Sequence, residues 1–190
     1  MHGFPVLTCM DGEVAPGVWA YTAKTGELVG GLPRSKGYTA HFKHLKDHQG
    51  GSVFEYRVEG VRTGRSSLIG FAAEDFDVDR AEETGNSTAV VSLYNGTAII
   101  RPDMSLDGKK HLHSDYLQRF IPKSRPYNVA VRCQAVSNVP QIQFNNDGVW
   151  HDFAPGRVAL KYSAKANSPN GMLPYLRVDE PKGVTPSEAI

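Results

Sequence analysis

Gly51-Ser52-Val53-Phe54-Glu55-Tyr56-Arg57-Val58 is the stretch on which the reading of the fold turns. Phe54, Tyr56 and Val58 occupy alternate positions, with Glu55 and Arg57 between them. Alternation of period two predicts a strand with one face on a core and the other in water. Working outward, Ser67-Leu68-Ile69-Gly70-Phe71-Ala72-Ala73 is apolar at both parities, as a strand covered on both faces is. Gly70 inside it predicts a bulge or the close approach of another backbone. Residues 89–94 and 97–100 read as strands flanking Asn95-Gly96, which predicts a two-residue hairpin turn with both positions at positive φ.

The second half repeats the pattern. Residues 127–133 and 139–144 read as strands, with Ile142 and Phe144 on one face and Gln141 and Gln143 on the other. Asn145-Asn146-Asp147-Gly148 predicts a second hairpin turn, and residues 149–153 its returning strand. There His151 and Phe153 face inward, and Trp150 and Asp152 outward. Residues 18–22, with Trp19 in packing, and residues 158–160 and 173–178 complete the strands. The helix candidates are two short stretches, 39–47 and 113–120. The fold class is therefore an all-β, two-sheet antiparallel β-sandwich with one or two short helices. It is read as one domain over 1–180, with an extended tail over 181–190.

The chain has 190 residues, enough for one sizeable core. Lys plus Arg is 21 and Asp plus Glu is 20, a net charge of +1 that lacks the basic field used to hold nucleic acid. No nucleic-acid partner and no membrane span is expected. The first residues carry no basic flank and no long apolar run, so a cytoplasmic protein is expected. The two cysteines, Cys9 and Cys133, do not make a disulfide framework, and reduced thiols are the default reading.

Three stretches in order carry a resemblance. Residues 51–58 with Leu68-Ile69-Gly70-Phe71-Ala72 are similar to the "G-x-x-Y-F/W-E-V-x-V … x-G-V/F-A" strand pair of SPRY (B30.2) domains. Tyr94-Asn95-Gly96-Thr97-Ala98-Ile99-Ile100 resembles the "hNGT-x-I" hairpin of neuralized-type repeats. Residues 127–133, followed by 142–153, resemble the ending "D-x-h-G-x-x-x-D … h-x-F-x-x-N-G-x-x-x-x-x-F" of both, and Leu173-Pro174-Tyr175-Leu176 stands where they have "L-Y-P-x-h". The resemblance covers about residues 51–178. It implies a concanavalin-like, SPRY-like jelly roll and a recognition module that binds a protein or peptide through loops at one edge.

Candidate ligand-binding residues are Tyr94, Asn95, Asn145, Asn146 and Trp150 at the turns, since exposed aromatic and amide groups anchor interfaces and sugars. His41, Lys43 and His44 join them as a basic segment; on a helix, His41, His44 and His48 would share one face. Asp75, Asp77 and Asp79 are secondary candidates for calcium, although Arg80 stands where an EF-hand needs glycine. No other cofactor is expected. No nucleophile elbow, phosphate loop or dinucleotide fingerprint is present. Two alternatives stay open. One is a lectin-like carbohydrate-binding domain, with or without calcium. The other is a glycan-processing enzyme using two carboxylates, for which Glu55 and Asp152 are candidates.

Overall fold

The structure is a computed structural model that describes residues 13–14, 17–22, 27–29, 38–39, 41–45, 53–62, 67–73, 76, 87–134, 137–161 and 172–178. Up to residue 54, and at Gln134, it describes the backbone alone. Cys9, the acidic positions Asp75, Asp77 and Asp79, and the tail 181–190 lie outside the described residues.

Fourteen strands lie among the described residues: β1 (Glu13–Val14), β2 (Gly17–Thr22), β3 (Glu27–Val29), β4 (Tyr38–Thr39), β5 (His41–Leu45), β6 (Val53–Val61), β7 (Leu68–Ala73), β8 (Thr88–Ser92), β9 (Ala98–Ile100), β10 (His111–His113), β11 (Tyr127–Gln134), β12 (Pro140–Phe144), β13 (His151–Asp152) and β14 (Met172–Val178). A seven-stranded sheet runs β10-β9-β8-β7-β14-β2-β3, and a five-stranded sheet runs β13-β12-β11-β6-β5; β1 and β4 form a separate pair. Every pairing is antiparallel. The two large sheets pack face to face as a β-sandwich. Among the described residues no helix is long and apolar enough to cross a membrane.

The core follows from the alternation. Tyr56 and Val58 of β6, Val129 and Val131 of β11, and Ile142 and Phe144 of β12 meet Ile69 and Phe71 of β7, Val91 of β8 and Leu176 of β14. Burying each such aliphatic or Phe side chain stabilises by about 1.5–3 kcal/mol, so this layer outweighs any single surface contact. Phe71 stacks on Phe153 at 6.4 Å and meets Tyr56 edge-on at 6.0 Å. Cys133 is buried here as a small side chain. β7 is covered on its other face too, where Phe76 packs edge-on against Tyr175 at 5.4 Å.

Several local expectations are corrected. Residues 41–45 form strand β5 and not part of a helix, because pairing to β6 satisfies their backbone groups across five residues. The helix expected over 113–120 is the end of β10 followed by a single 3-10 turn at Gln118–Phe120. The β8–β9 connection is wider than a two-residue turn: Gly96 N donates to Ser92 O at 2.9 Å, and Ser92 N to Thr97 O at 2.9 Å. Gly96 takes φ of 74° there, and a side chain on it would sit 2.3 Å from the Gln118 nitrogen, so that position needs glycine. The returning strand after the second turn is only β13, and residues 158–160 contribute one bridge, Leu160 to Ser105.

Candidate functional site

The outer face of the five-stranded sheet carries a polar array. Register sets Glu55 opposite Arg132, Arg132 opposite Gln141, and Gln141 opposite Asp152, a row across four strands. In the adjacent row Arg57 stands opposite Ala130, and Ala130 opposite Gln143. Residues directly opposite in an antiparallel sheet share a face, so alternate positions on β6, β11 and β12 present these groups together.

The groups are bonded to one another. Arg132 Nε donates to Gln141 Oε1 at 2.8 Å, and Gln141 Nε2 donates to Asp152 Oδ1 at 2.7 Å. Arg57 donates to Gln143 Oε1 and to Glu55 Oε1, each at 3.4 Å, and to Asn146 Oδ1. The Arg132 guanidinium lies over the Trp150 ring, 4.1 Å from its centroid, within cation–π range. Burial pushes the Arg132 guanidinium down from its ordinary value, with Glu55 and Asp152 opposing. Glu55 is only 6% exposed and Gln143 only 4%. Charged and amide groups this buried hold one arrangement, because each needs its partner.

The turn that brings Asn146 to Arg57 is built locally. Asp147 N donates to Phe144 O at 3.3 Å, with Asn145 at φ 53° and Asn146 at φ 55°. That is a type I′ turn, and Asn tolerates the left-handed region better than other side-chain-bearing residues. Two bonds clamp it to the start of β11: Asn145 N to Asn128 O at 2.8 Å, and Asn128 N to Asn145 Oδ1 at 3.0 Å. Asn128 Oδ1 also accepts from Gly60 N at 3.2 Å, where the β6–β11 register shifts in a bulge.

Of the sequence-predicted residues, Asn146, Trp150 and Asp152 belong to this array, while Asn145 ties the turn to Asn128. Lys43 stands opposite Arg57 in the register, while His44 stands opposite Tyr56 and His41 opposite Glu59. His41 and His44 thus stand at positions of opposite parity in β5, and His48 lies outside the described residues. Tyr94 and Asn95 are elsewhere, in the β8–β9 turn of the other sheet. Tyr94 is 64% exposed, and Asn95 Oδ1 accepts from Thr97 N at 3.0 Å. Glu55 and Asp152 stand three strand spacings apart, roughly 14 Å at about 4.8 Å each. Both carboxylates are engaged within the array, Glu55 with Arg57 and Asp152 with Gln141.

Sequence reasoning missed Arg57, Arg132, Gln141 and Gln143 as site residues. Their one signal was polarity at the alternate positions of strands whose other positions are apolar. It also missed an open groove of about 410 Å³ beside the array, lined by Ser105, Asp107 and His111 on one side and by Asp152, Arg157 and Val158 on the other. His151, next to Asp152, stacks on Phe120 at 3.8 Å, and burial holds its imidazole below the ordinary value. No family model matches this chain, and neither a curated protein nor a solved structure matches it.

Proposed function

We propose that this domain is a non-enzymatic recognition module that binds a peptide segment of a protein partner across the outer face of the five-stranded sheet. The observation that carries the reading is the stacking of Arg132 on Trp150 within a bonded row of Gln141 and Asp152. Amide side chains both donate and accept, which matches the groups along a peptide backbone. Arginine and tryptophan are the residue types that dominate binding energy at interfaces. Prebonded side chains lose less freedom on binding than loose ones do. The resemblance to SPRY and neuralized-type domains supports the same reading, with the edge beside β13 as the binding edge. It invokes no cofactor and a cytoplasmic setting.

A carbohydrate-binding, lectin-like face is the second reading. It rests on Trp150 lying in the same array as the Gln141–Asp152 pair, since an aromatic face and planar polar groups also suit a sugar.

Panning a display library of random peptides on the purified protein, in parallel with a glycan array run with calcium and with chelator, separates the two. The expected result is an enriched peptide whose affinity falls about tenfold or more in Trp150→Ala and Arg132→Ala, as removal of interface anchors does. Glycan signal with no enriched peptide overturns it.

A further inference from the structure

We propose that the groove beside the array captures an acidic residue of the bound peptide, with Arg157 as its anchoring cation. This rests on the peptide-binding reading above and names the chemistry of the ligand. Asp152 joins the two places: it is bonded to Gln141 in the array and it lines the groove. A peptide crossing the sheet toward β13 therefore runs into the groove.

What favours an acidic guest is which charges of the groove are already engaged and which is not. The charged side chains of the lining are Asp107, His111, Asp152 and Arg157, and Lys109, Lys110 and Lys161 follow close by in the chain. Of the cations only Arg157 lines the groove; the three lysines are exposed beside it in the chain. Both carboxylates already have donors. Asp107 accepts from Ser105 Oγ at 2.5 Å, Lys109 N at 3.0 Å and His111 Nε2 at 2.9 Å. Those bonds, the Ser105 hydroxyl first, hold its carboxyl well below the usual carboxylate range. Asp152 accepts from Gln141.

Arg157 is differently placed. Among the described residues its guanidinium makes no hydrogen bond or ion pair. It is presented by the turn Ala154-Pro155-Gly156-Arg157, closed by Arg157 N donating to Ala154 O at 3.0 Å, with Gly156 at φ 69°. Proline followed by a glycine at positive φ is the pattern of a type II turn, so the backbone that carries Arg157 is held in place. A guanidinium fork pairs with a carboxylate through two parallel bonds. Val139, Val158 and Ala159 on the groove wall suit the methylene stem of an acidic side chain.

The test is fluorescence anisotropy with three labelled probes of equal length: hexaglutamate, hexalysine and a Gly-Ser peptide. Hexaglutamate is expected to bind and the other two not to bind. Its affinity should fall about tenfold in Arg157→Glu, fall by less in Arg157→Lys, which keeps the charge and loses the fork, and stay within about twofold in Lys123→Glu, an exposed lysine outside the groove. Equal binding of hexaglutamate by wild type and Arg157→Glu overturns the proposal, as does binding of hexalysine. Library-selected peptides that depend on Trp150 but carry no acidic residue and ignore Arg157 overturn this inference and leave the recognition reading standing. Selected peptides indifferent to Trp150 overturn the recognition reading itself.

Discussion

The hydroxyl of Tyr56, carried on the five-stranded sheet, is seated in the backbone of the facing sheet at Gly70. It bonds the Gly70 carbonyl, accepts from Gly70 N at 3.0 Å, and lies 2.8 Å from Tyr175 O on the neighbouring strand. Gly70 leaves no room for a side chain: a Cβ there would meet the Ala89 carbonyl oxygen at 2.1 Å. A fully buried phenol and a strand glycine thus lock the two sheets in one relative position. Burial drives the Tyr56 hydroxyl far above its ordinary value, so it stays protonated and able to donate.

Tyr56→Phe keeps the ring packing and removes the bonds. It is expected to cost about 1–3 kcal/mol in urea unfolding, the range for leaving buried polar groups unsatisfied. Gly70→Ala should cost about 3 kcal/mol or more, because backbone and not a flexible side chain blocks the new methyl. A neutral Gly70→Ala contradicts the seating described here.

At the β8–β9 turn, Gly96→Ala combines a positive φ with a carbon 2.3 Å from Gln118 N and 2.6 Å from the Leu117 carbonyl carbon. A loss of about 1–3 kcal/mol is expected in thermal or chemical unfolding, from strained backbone alone. The array on the other sheet shares none of these contacts, so peptide affinity per folded molecule should stay unchanged.

Asn146 separates structure from binding. Asn146→Gly suits the left-handed turn and should leave stability within about 0.5 kcal/mol. It removes the acceptor for Arg57, so peptide affinity should fall. Asn146→Val places a β-branched residue at positive φ and should lose about 1–2 kcal/mol of stability. Equal peptide affinity in wild type and Asn146→Gly would show that the Arg57 contact serves the turn only.

Asp107 sets an acid dependence. A carboxylate held low in the native state stabilises fully above its unfolded value of 3.8 and loses that contribution as pH falls through the native value. The Tm difference between wild type and Asp107→Asn should therefore be flat above about pH 5 and shrink progressively below it. A difference that persists unchanged to about pH 2 contradicts the bonding of Asp107 to Ser105 and His111.

Much of the sandwich could be read from alternation. Tyr56, Val58, Val129, Val131, Ile142 and Phe144 all point inward as period two requires, and Gly70 marks the close approach it suggested. Residues 41–45 misled because histidines and lysines at mixed spacing fit a helix as well as a strand, and only the partner β6 decides between them. The array was hidden for a related reason. Glu55 and Arg132, or Arg57 and Asn146, are far apart in the chain, and register alone makes them neighbours. Trp150 and Asn146 were visible as exposed aromatic and turn amide; the arginines that hold them looked like solvated strand residues.

Peptide binding on the outer face of the five-stranded sheet is the proposal on which the other readings depend. Amide chemical-shift mapping by NMR, titrating a library-selected peptide into labelled protein, tests it most directly. The largest shifts are expected on Arg57, Arg132, Gln141, Gln143, Asn146, Trp150 and Asp152. Shifts centred on Tyr94 and Asn95 in the β8–β9 turn, with that face silent, contradict it.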